Sequence, residues 1–288
     1  MNLIKKFLHK KGLYRLAFAP GHYASPIPNV KEALNEIRSD QNLLEIPGIE
    51  LNVEGQLNLM KKLSPIINGI PFKDEAEDEH RYYFNNSMLQ HTDGSMLYGI
   101  INLFKPKKII EVGSGYSSAI MLDNNDMNPE SQIHLTFIEP YPERLNNLIN
   151  SNDKRSVRII EKKIQEVDLS IFEDLEENDI LFLDTSHIVK TGGDVTYWTF
   201  NILPRLKKGV IIHIHDIFWP FNYSEDWITI EKCYTEAYLI RAFLMYNNSF
   251  EILLFNSYLK CNQNEAFNEN FPFLKLYNGG GSLWLKKY

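Results

Sequence analysis

The stretch Ile109-Ile110-Glu111-Val112-Gly113-Ser114-Gly115-Tyr116-Ser117-Ser118 changes character in its middle. An apolar, β-branched run leads into Gly113-x-Gly115, and a helix is expected after Ser117. Strand, glycine turn, helix is an arrangement that lets backbone approach a ligand at the carboxyl edge of a first strand. The third glycine of the dinucleotide fingerprint is missing, because Ser118 stands in its place. Glu111 lies two residues before the first glycine. Its carboxylate would repel a pyrophosphate and tolerate a ligand carrying an ammonium group. The competing reading is an ordinary βα turn beside a coincidental acid.

Outward from this loop the same alternation repeats. Apolar runs at 133–139, 156–162, 179–184 and 209–216 read as further strands, with 107–113 as the first. Helices are expected between them, one opened by Pro142 and one from about Asp194 to Leu206. Near-continuous apolar strands separated by helices imply a parallel sheet covered on both faces. A long helix is expected from about Glu225 to Met245, with Trp227, Ile230, Tyr234, Ala237, Ile240 and Leu244 on one face. The runs 250–255 and 281–287 read as two terminal strands with no helix between them, paired antiparallel. The expectation is a doubly wound α/β fold with a seven-stranded sheet, mostly parallel with one antiparallel strand.

Residues 1–79 differ from this pattern and read as a helical and irregular N-terminal extension, a candidate lid, ahead of an α/β domain at 80–288. Asn29 and Asn52 are expected to cap two helices there. His22 and Tyr23 are candidate lid residues. Residues 1–31 carry six basic side chains and no acid, whereas the whole chain has a net charge of −7. Leu3, Ile4, Phe7 and Leu8 fall at helical spacing among the lysines of 1–15. That segment reads as an amphipathic arm packed on its own domain, with contact to an anionic membrane surface as the alternative. The acidic run Asp74, Glu75, Glu77, Asp78 and Glu79 reads as a solvated loop.

The 288 residues are 44% hydrophobic, 12% aromatic and 23% charged, which excludes a disordered or collagen-like chain. No apolar stretch approaches the roughly 18 residues of a membrane span. No apolar h-region follows the basic start, so no signal peptide is expected. The acidic balance argues against nucleic acid as the partner. Cys233 and Cys261 make no disulfide framework and have no zinc-site spacing, in keeping with reduced thiols in a cytoplasm. A homo-oligomer is compatible with the composition.

Ligands of an open α/β sheet bind outside the carboxyl ends of its strands. Glu139 ends the second strand, 28 residues after Glu111, where a carboxylate can accept from both hydroxyls of a ribose. The fourth and fifth strands end in Asp184-Thr185-Ser186-His187 and His213-Ile214-His215-Asp216, so Asp184, His187, His215 and Asp216 should converge beside a cofactor. Strand alternation puts His213 and His215 on one face and Asp216 on the other. His213 lies deeper and reads as a hydrogen-bonded core residue, while His215 sits at the rim. Asp184 and Asp216 could equally anchor loops. Phe218, Trp219, Phe221 and Tyr223 line an acceptor pocket or simply pack. Asp93 and Asp194 read as helix caps, and His91 and Ser95 are candidate cofactor contacts.

The glycine loop, Glu139 in FIEPYPERL and the terminal antiparallel strands resemble class I S-adenosylmethionine (SAM)-dependent methyltransferases, over about residues 80–288. The resemblance implies a Rossmann-like sheet. It implies that Glu111, Gly113, Ser114 and Gly115, with Asp184 beside them, hold the methionine part of the cofactor. It gives the ribose to Glu139 and the adenine to Gln165. The strand ends resemble the catechol-type enzymes and their relatives acting on antibiotics and sugars. There, aspartates at the positions of Asp184 and Asp216 hold a divalent metal such as Mg²⁺, and a lysine at the position of His187 is the base. Ile217 stands where another polar ligand is common, so His215 would have to complete the metal site. Methyl transfer needs an aligned nucleophile and removal of its proton, which gives His187 or His215 the role of general base. The expectation is methylation of a small-molecule acceptor, on oxygen. An NAD-dependent oxidoreductase and a non-catalytic SAM-binding protein are the alternatives. The missing third glycine and Glu111 speak against the first of these.

Overall fold

A strand whose side chains are all apolar needs cover on both faces. Ile180, Leu181, Phe182 and Leu183 are each exposed by 1% or less. Burying side chains of this size contributes about 1.5–3 kcal/mol each, so this strand lies at the centre of the sheet. The computed structural model describes residues 16–40, 43–150, 153 and 156–288. The basic segment 1–15, with its expected arm or membrane contact, lies outside the described residues.

Helices α1 (Val30–Asp40), α2 (Val53–Ile67) and α3 (His91–Phe104) precede the sheet. Then β1 (Lys108–Val112), α4 (Tyr116–Met127), β2 (His134–Ile138), α5 (Glu143–Leu148), β3 (Val157–Ile160), α6 (Ser170–Glu173) and β4 (Ile180–Leu183) alternate. The next helix, α7 (Asp194–Tyr197), runs on through a π turn at Trp198–Ile202 and a 3-10 turn at Leu203–Arg205 to β5 (Ile211–Ile214). The chain ends with α8 (Glu225–Thr229), α9 (Glu236–Leu244), β6 (Phe250–Phe255), α10 (Asn256–Asn262), α11 (Asn264–Asn270) and β7 (Leu283–Lys287).

The strands form one seven-stranded sheet in the order β3-β2-β1-β4-β5-β7-β6. The pairs from β3 to β5 are parallel, and β7 runs antiparallel to both β5 and β6. The expected single reversed strand is therefore β7. The chain leaves β1 toward β2 on one side and returns to β4 on the other, so a crevice opens at the carboxyl ends of β1 and β4.

The described residues ahead of position 80 share the core of the sheet. Leu59, Met60, Leu63 and Ile67 of α2 are buried in the same hydrophobic cluster as Ile100, Ile110 and Leu254. The acidic run from Asp74 to Glu79 is exposed, as expected of a solvated loop. Asn52 makes no side-chain cap on α2. Its Nδ2 instead donates to Glu251 Oε1 at 2.7 Å and to the Ile252 carbonyl, fastening α2 to the edge strand. Asn29 behaves as expected, its Oδ1 accepting from the amide of Lys31 at 3.1 Å.

Two further expectations are corrected. The helix read over Glu225–Met245 is interrupted between Ile230 and Thr235, and Ile230 is 71% exposed. The amides of Thr235 and Glu236 at the start of α9 donate to the carbonyl of His187, at 2.9 and 3.1 Å. A helix start needs acceptors for its first amides, and a remote carbonyl supplies one here. Ala237, Ile240 and Leu244 keep their predicted buried face. Likewise α10 and α11 occupy the connection between β6 and β7 that read as helix-free. Their short length hid them, since a single buried Phe267 carries the apolar signal of α11.

Candidate active site

Gly113 has a φ of +87°, and a Cβ there would stand 1.8 Å from the carbonyl oxygen of Asp184. Only glycine permits both that φ and that approach. The contact follows from the β1–β4 pairing, in which the Asp184 amide donates to the Val112 carbonyl at 3.0 Å. Gly115 is different. Its backbone is extended, and a Cβ there would meet only Arg144 Nη1, at 3.6 Å. The first glycine thus makes the turn possible, and the second leaves open space above it.

Glu111 lies beneath the loop, fully buried, and lines neither lobe of the cleft. Its two oxygens accept from the hydroxyls of Ser117 and Ser118 in the first turn of α4. Ser118 Oγ also accepts from the Gly115 amide at 3.0 Å. The residue that replaces the third fingerprint glycine is therefore a bracket for the loop. Burial pushes the Glu111 carboxyl up to about 8, against the pull of the two serines. Glu139 is held in the cleft by the amides of Ser114 and Tyr141, at 3.1 and 2.9 Å.

The cleft has two lobes that share Gly113, Glu139, Asp184, Thr185 and Ser186. One, about 590 Å³, runs over the ends of β1 to β4 and is lined by Tyr141, Ile164 and Gln165. Gln165 is tied by its Nε2 to the Gly192 carbonyl at 3.0 Å. The other, about 400 Å³, reaches over the ends of β4 and β5 to Trp227, Lys232 and Tyr234.

The second lobe holds the charged cluster. His187, with a left-handed φ of +57°, is 5% exposed. Its Nδ1 lies 2.7 Å from Glu236 Oε2, and its Nε2 lies 3.3 Å from Asp184 Oδ1 and 3.5 Å from Asp216 Oδ2. Both ring nitrogens face carboxylates, an arrangement that favours the imidazolium. Burial works to lower its pKa, but the hydrogen bonds and charges of Asp184 and Glu236 raise it to about 11. This surrounding speaks against His187 as the base. A protonated ring has no free lone pair with which to take a proton.

The same geometry answers the metal expectation. A divalent ion would be gripped between Asp184 and Asp216, and the His187 ring is lodged between them. Among the described residues, no group of three or more His, Cys, Asp or Glu could hold a metal ion. Asp184, Asp216 and His215 do not fit that role together.

His215 lies at the rim as expected, 6% exposed. Its Nδ1 is buried without a hydrogen-bond partner, and its Nε2 is 3.8 Å from Asp216 Oδ1. Burial works to lower its pKa, and the charges of Asp184, Asp216 and Asp93 outweigh it and raise it. Burial raises Asp216, while the charges of His215 and His187 hold Asp184 below the usual carboxylate range despite burial. His213 is the core residue read from the sequence, its Nε2 3.0 Å from Ser282 Oγ and its ring stacked on Phe182.

Other expected contacts fall elsewhere. Asp93 is no cap. It accepts from the amides of Gly281 and Ser282 and clasps the start of β7. His91 stacks between Phe84 and Tyr277, and neither it nor Ser95 lines the cleft lobes. Asp194 accepts from the amide of Ser186 at 2.9 Å and so positions the loop after β4. Trp219, Phe221 and Tyr223 pack inside, exposed by 9% or less, and the aromatics that line the cleft are Tyr116, Tyr141, Trp227 and Tyr234. Tyr23 is 96% exposed. Sequence reasoning missed Glu236 and Lys232. Glu236 read as one acid in a long helix, and only the fold brings it to His187.

Among the described residues, no helix is long and apolar enough to cross a membrane. A family model described as a methyltransferase domain matches residues 110–217. An uncharacterized protein of Archaeoglobus fulgidus is 35% identical over 172 residues, covering 56% of this chain and 75% of that protein. A SAH-bound methyltransferase of Podospora anserina is similar over 91% of this chain and 98% of its own, at 16% identity and a TM-score of 0.43. The O-methyltransferase TomG of Streptomyces achromogenes, in complex with SAM, is similar over 78% and 90%, at 13% identity and a TM-score of 0.38. The matched segment 110–217 runs from β1 past β5 and so contains the glycine loop, Glu139, Asp184 and Asp216. The segment 110–217 thus matches a methyltransferase domain, and the seven-stranded sheet with its single reversed strand β7 has the Rossmann-like order expected of the class I S-adenosylmethionine-dependent methyltransferases.

Proposed function

We propose that the protein methylates a hydroxyl oxygen of a small molecule, with His215 as the base. The observation that carries this reading is the continuity of the two lobes through Gly113, Glu139 and Asp184. A cofactor laid along the strand ends would place its adenosine in the larger lobe and its methionine part over the glycine loop. Glu139 would take the ribose and Gln165 the adenine side. Gly113, Ser114 and Gly115 would carry the methionine part, with Glu111 bracing the loop from below. When bound, SAM supplies the electrophilic methyl group.

The protein's own part is to hold the acceptor and take its proton. A hydroxyl is a weak nucleophile, and a positioned base contributes typically 10²–10⁴-fold. His215 suits this role because neither of its ring nitrogens is committed to a hydrogen bond. Asp216, 3.8 Å away, would stabilise the imidazolium that forms. His187 would neutralise Asp184 and Asp216, so that the lobe does not repel an acceptor losing its proton. Trp227 and Tyr234 would give the acceptor an apolar wall.

The test is calorimetric titration with S-adenosylhomocysteine, in EDTA and again in Mg²⁺, followed by an acceptor screen on the wild type and on His215→Ala. Equal, saturable binding in both buffers is expected. For His215→Ala, kcat should fall by about 10²–10⁴ while cofactor affinity stays within twofold. A variant retaining more than a tenth of wild-type kcat would remove His215 from the reaction. Activity abolished by EDTA and restored by Mg²⁺ would overturn the metal-free reading.

A further inference from the structure

Lys232 stands in the segment between α8 and α9 and lines the smaller lobe with Trp227 and Tyr234. The main chain folds it back onto that aromatic wall. Glu231 turns with a left-handed φ of +57°, and the Lys232 amide donates to the Trp227 carbonyl at 2.9 Å. The Lys232 carbonyl accepts from the Tyr234 amide at 2.8 Å. Thr235 fastens the segment to the loop after β4. Its Oγ1 accepts from the Val189 amide at 2.8 Å, and its own amide donates to the His187 carbonyl. The backbone on both sides of Lys232 is therefore held.

The ammonium lies 3.5 Å from the centre of the Trp227 ring and 4.5 Å from that of Tyr234. A ring face attracts a cation, but it offers no lone pair to the three N–H groups. Lys232 Nζ makes no hydrogen bond or ion pair with any described residue. Lys260 shows the satisfied arrangement. Its Nζ lies 4.9 Å from the centre of the Phe267 ring, and it donates to Asn268 Oδ1 at 2.8 Å and to the carbonyls of Leu274 and Lys275. Lys232 has the ring contact without the oxygens, and its ammonium faces the lobe assigned to the acceptor.

We propose that Lys232 selects the acceptor, and that the acceptor is a small hydroxy acid whose carboxylate pairs with the Lys232 ammonium. This rests on the placement of the acceptor in the smaller lobe argued above. The lobe, about 400 Å³, has room for a single ring between His215 and the aromatic wall. The hydroxyl would lie toward His215 and the carboxylate toward Lys232. Asp216 lines the same lobe and would repel a dianion more strongly than a monoanion, which favours a carboxylate over a phosphate.

The experiment is calorimetry of the full chain saturated with S-adenosylhomocysteine, with 4-hydroxybenzoate, its neutral amide 4-hydroxybenzamide, and phenyl phosphate as probes. The wild type should bind the acid about tenfold or more tightly than the amide. Lys232→Met keeps the stem and removes the charge. It should lose that preference, with its affinities for the amide and for S-adenosylhomocysteine within about twofold of wild type. Lys232→Arg should retain the preference. A wild type that does not bind the acid, or binds acid and amide equally, would overturn the proposal, as would a preference that survives in Lys232→Met. Tighter binding of phenyl phosphate than of the acid would overturn the choice of a carboxylate. A wild type that fails to bind S-adenosylhomocysteine would sink the proposed function itself. Cofactor binding without preference for the acid would sink the role of Lys232 alone.

Discussion

The two lobes of the cleft are built on different principles. Over β1 and β2 the wall is shaped by the glycine turn and by Glu139, which backbone amides hold in place. Glu139 is held by the amides of Ser114 and Tyr141, and Gly113 is shaped by the strand beside it. Over β4 and β5 the wall is side chain and charge, drawn from three separate parts of the chain. Glu236 reaches His187 across 49 residues, and the same His187 offers its carbonyl to the start of α9. The first lobe depends on geometry that glycine alone allows. The second depends on charges that balance only when all members are present.

The two glycines test the first principle most severely. Gly113→Ala should cost at least about 3 kcal/mol, from left-handed strain and a clash with the Asp184 carbonyl. Gly115→Ala should stay within about 0.5 kcal/mol of wild type, yet lose tenfold or more in S-adenosylhomocysteine affinity. Urea melts and calorimetry on both variants separate these effects. Equal destabilisation by the two would break the distinction between a glycine that shapes and one that leaves room.

The second principle predicts a large but repairable loss. His187→Ala leaves Asp184, Asp216 and Glu236 without their shared cation, and breaking a buried pair costs about 3–5 kcal/mol. Adding Glu236→Gln should return part of that loss, because one buried negative charge is removed. A double variant no more stable than His187→Ala alone would show that the ring acts by packing.

The pH dependence of stability sharpens the contrast. Glu111 has its folded pKa raised from 4.5 to about 8, so its contribution is full below 4.5 and lost as pH rises through 8. His187 is raised from 6.5 to about 11, so its contribution is full below 6.5 and lost only as pH rises through 11. The melting temperature should therefore fall between pH 5 and 8, and Glu111→Gln should flatten that limb. Above pH 8 the remaining decline should disappear in His187→Ala.

The smallest effect belongs to Gln165. Its side chain holds the Gly192 carbonyl at the edge of the larger lobe. A single exposed hydrogen bond contributes about 0.5–1.5 kcal/mol, so Gln165→Ala should weaken S-adenosylhomocysteine about threefold. A loss beyond thirtyfold would make it a principal holder of the adenine.

The fold was legible because its signals are local. Five parallel strands announced themselves by apolar runs, and Gly113-x-Gly115 marked the turn where backbone must come close. Where the reading failed, a remote partner had intervened. Asn52 and Asp93 have the right chemistry to cap the helix beside them, but each spends its side chain on Ile252 or Ser282 instead, while Asp194 accepts both from the Val195 amide of its own helix and from Ser186. Periodicity continued the helix through Ile230 because it cannot register an acceptor at His187.

The site divides along the same line. Sequence alone determined the sheet, the glycine turn after β1, and the gathering of Asp184, His187, His215 and Asp216 at two adjacent strand ends. These follow from strand spacing and from the rule that ligands lie beyond the carboxyl ends. Only the tertiary structure decided what those groups are. His187 could have been a base or a metal-site neighbour until Glu236 closed on its second nitrogen. A protonation state depends on every charge within a few ångströms, and those neighbours are chosen by the fold rather than by proximity in the chain.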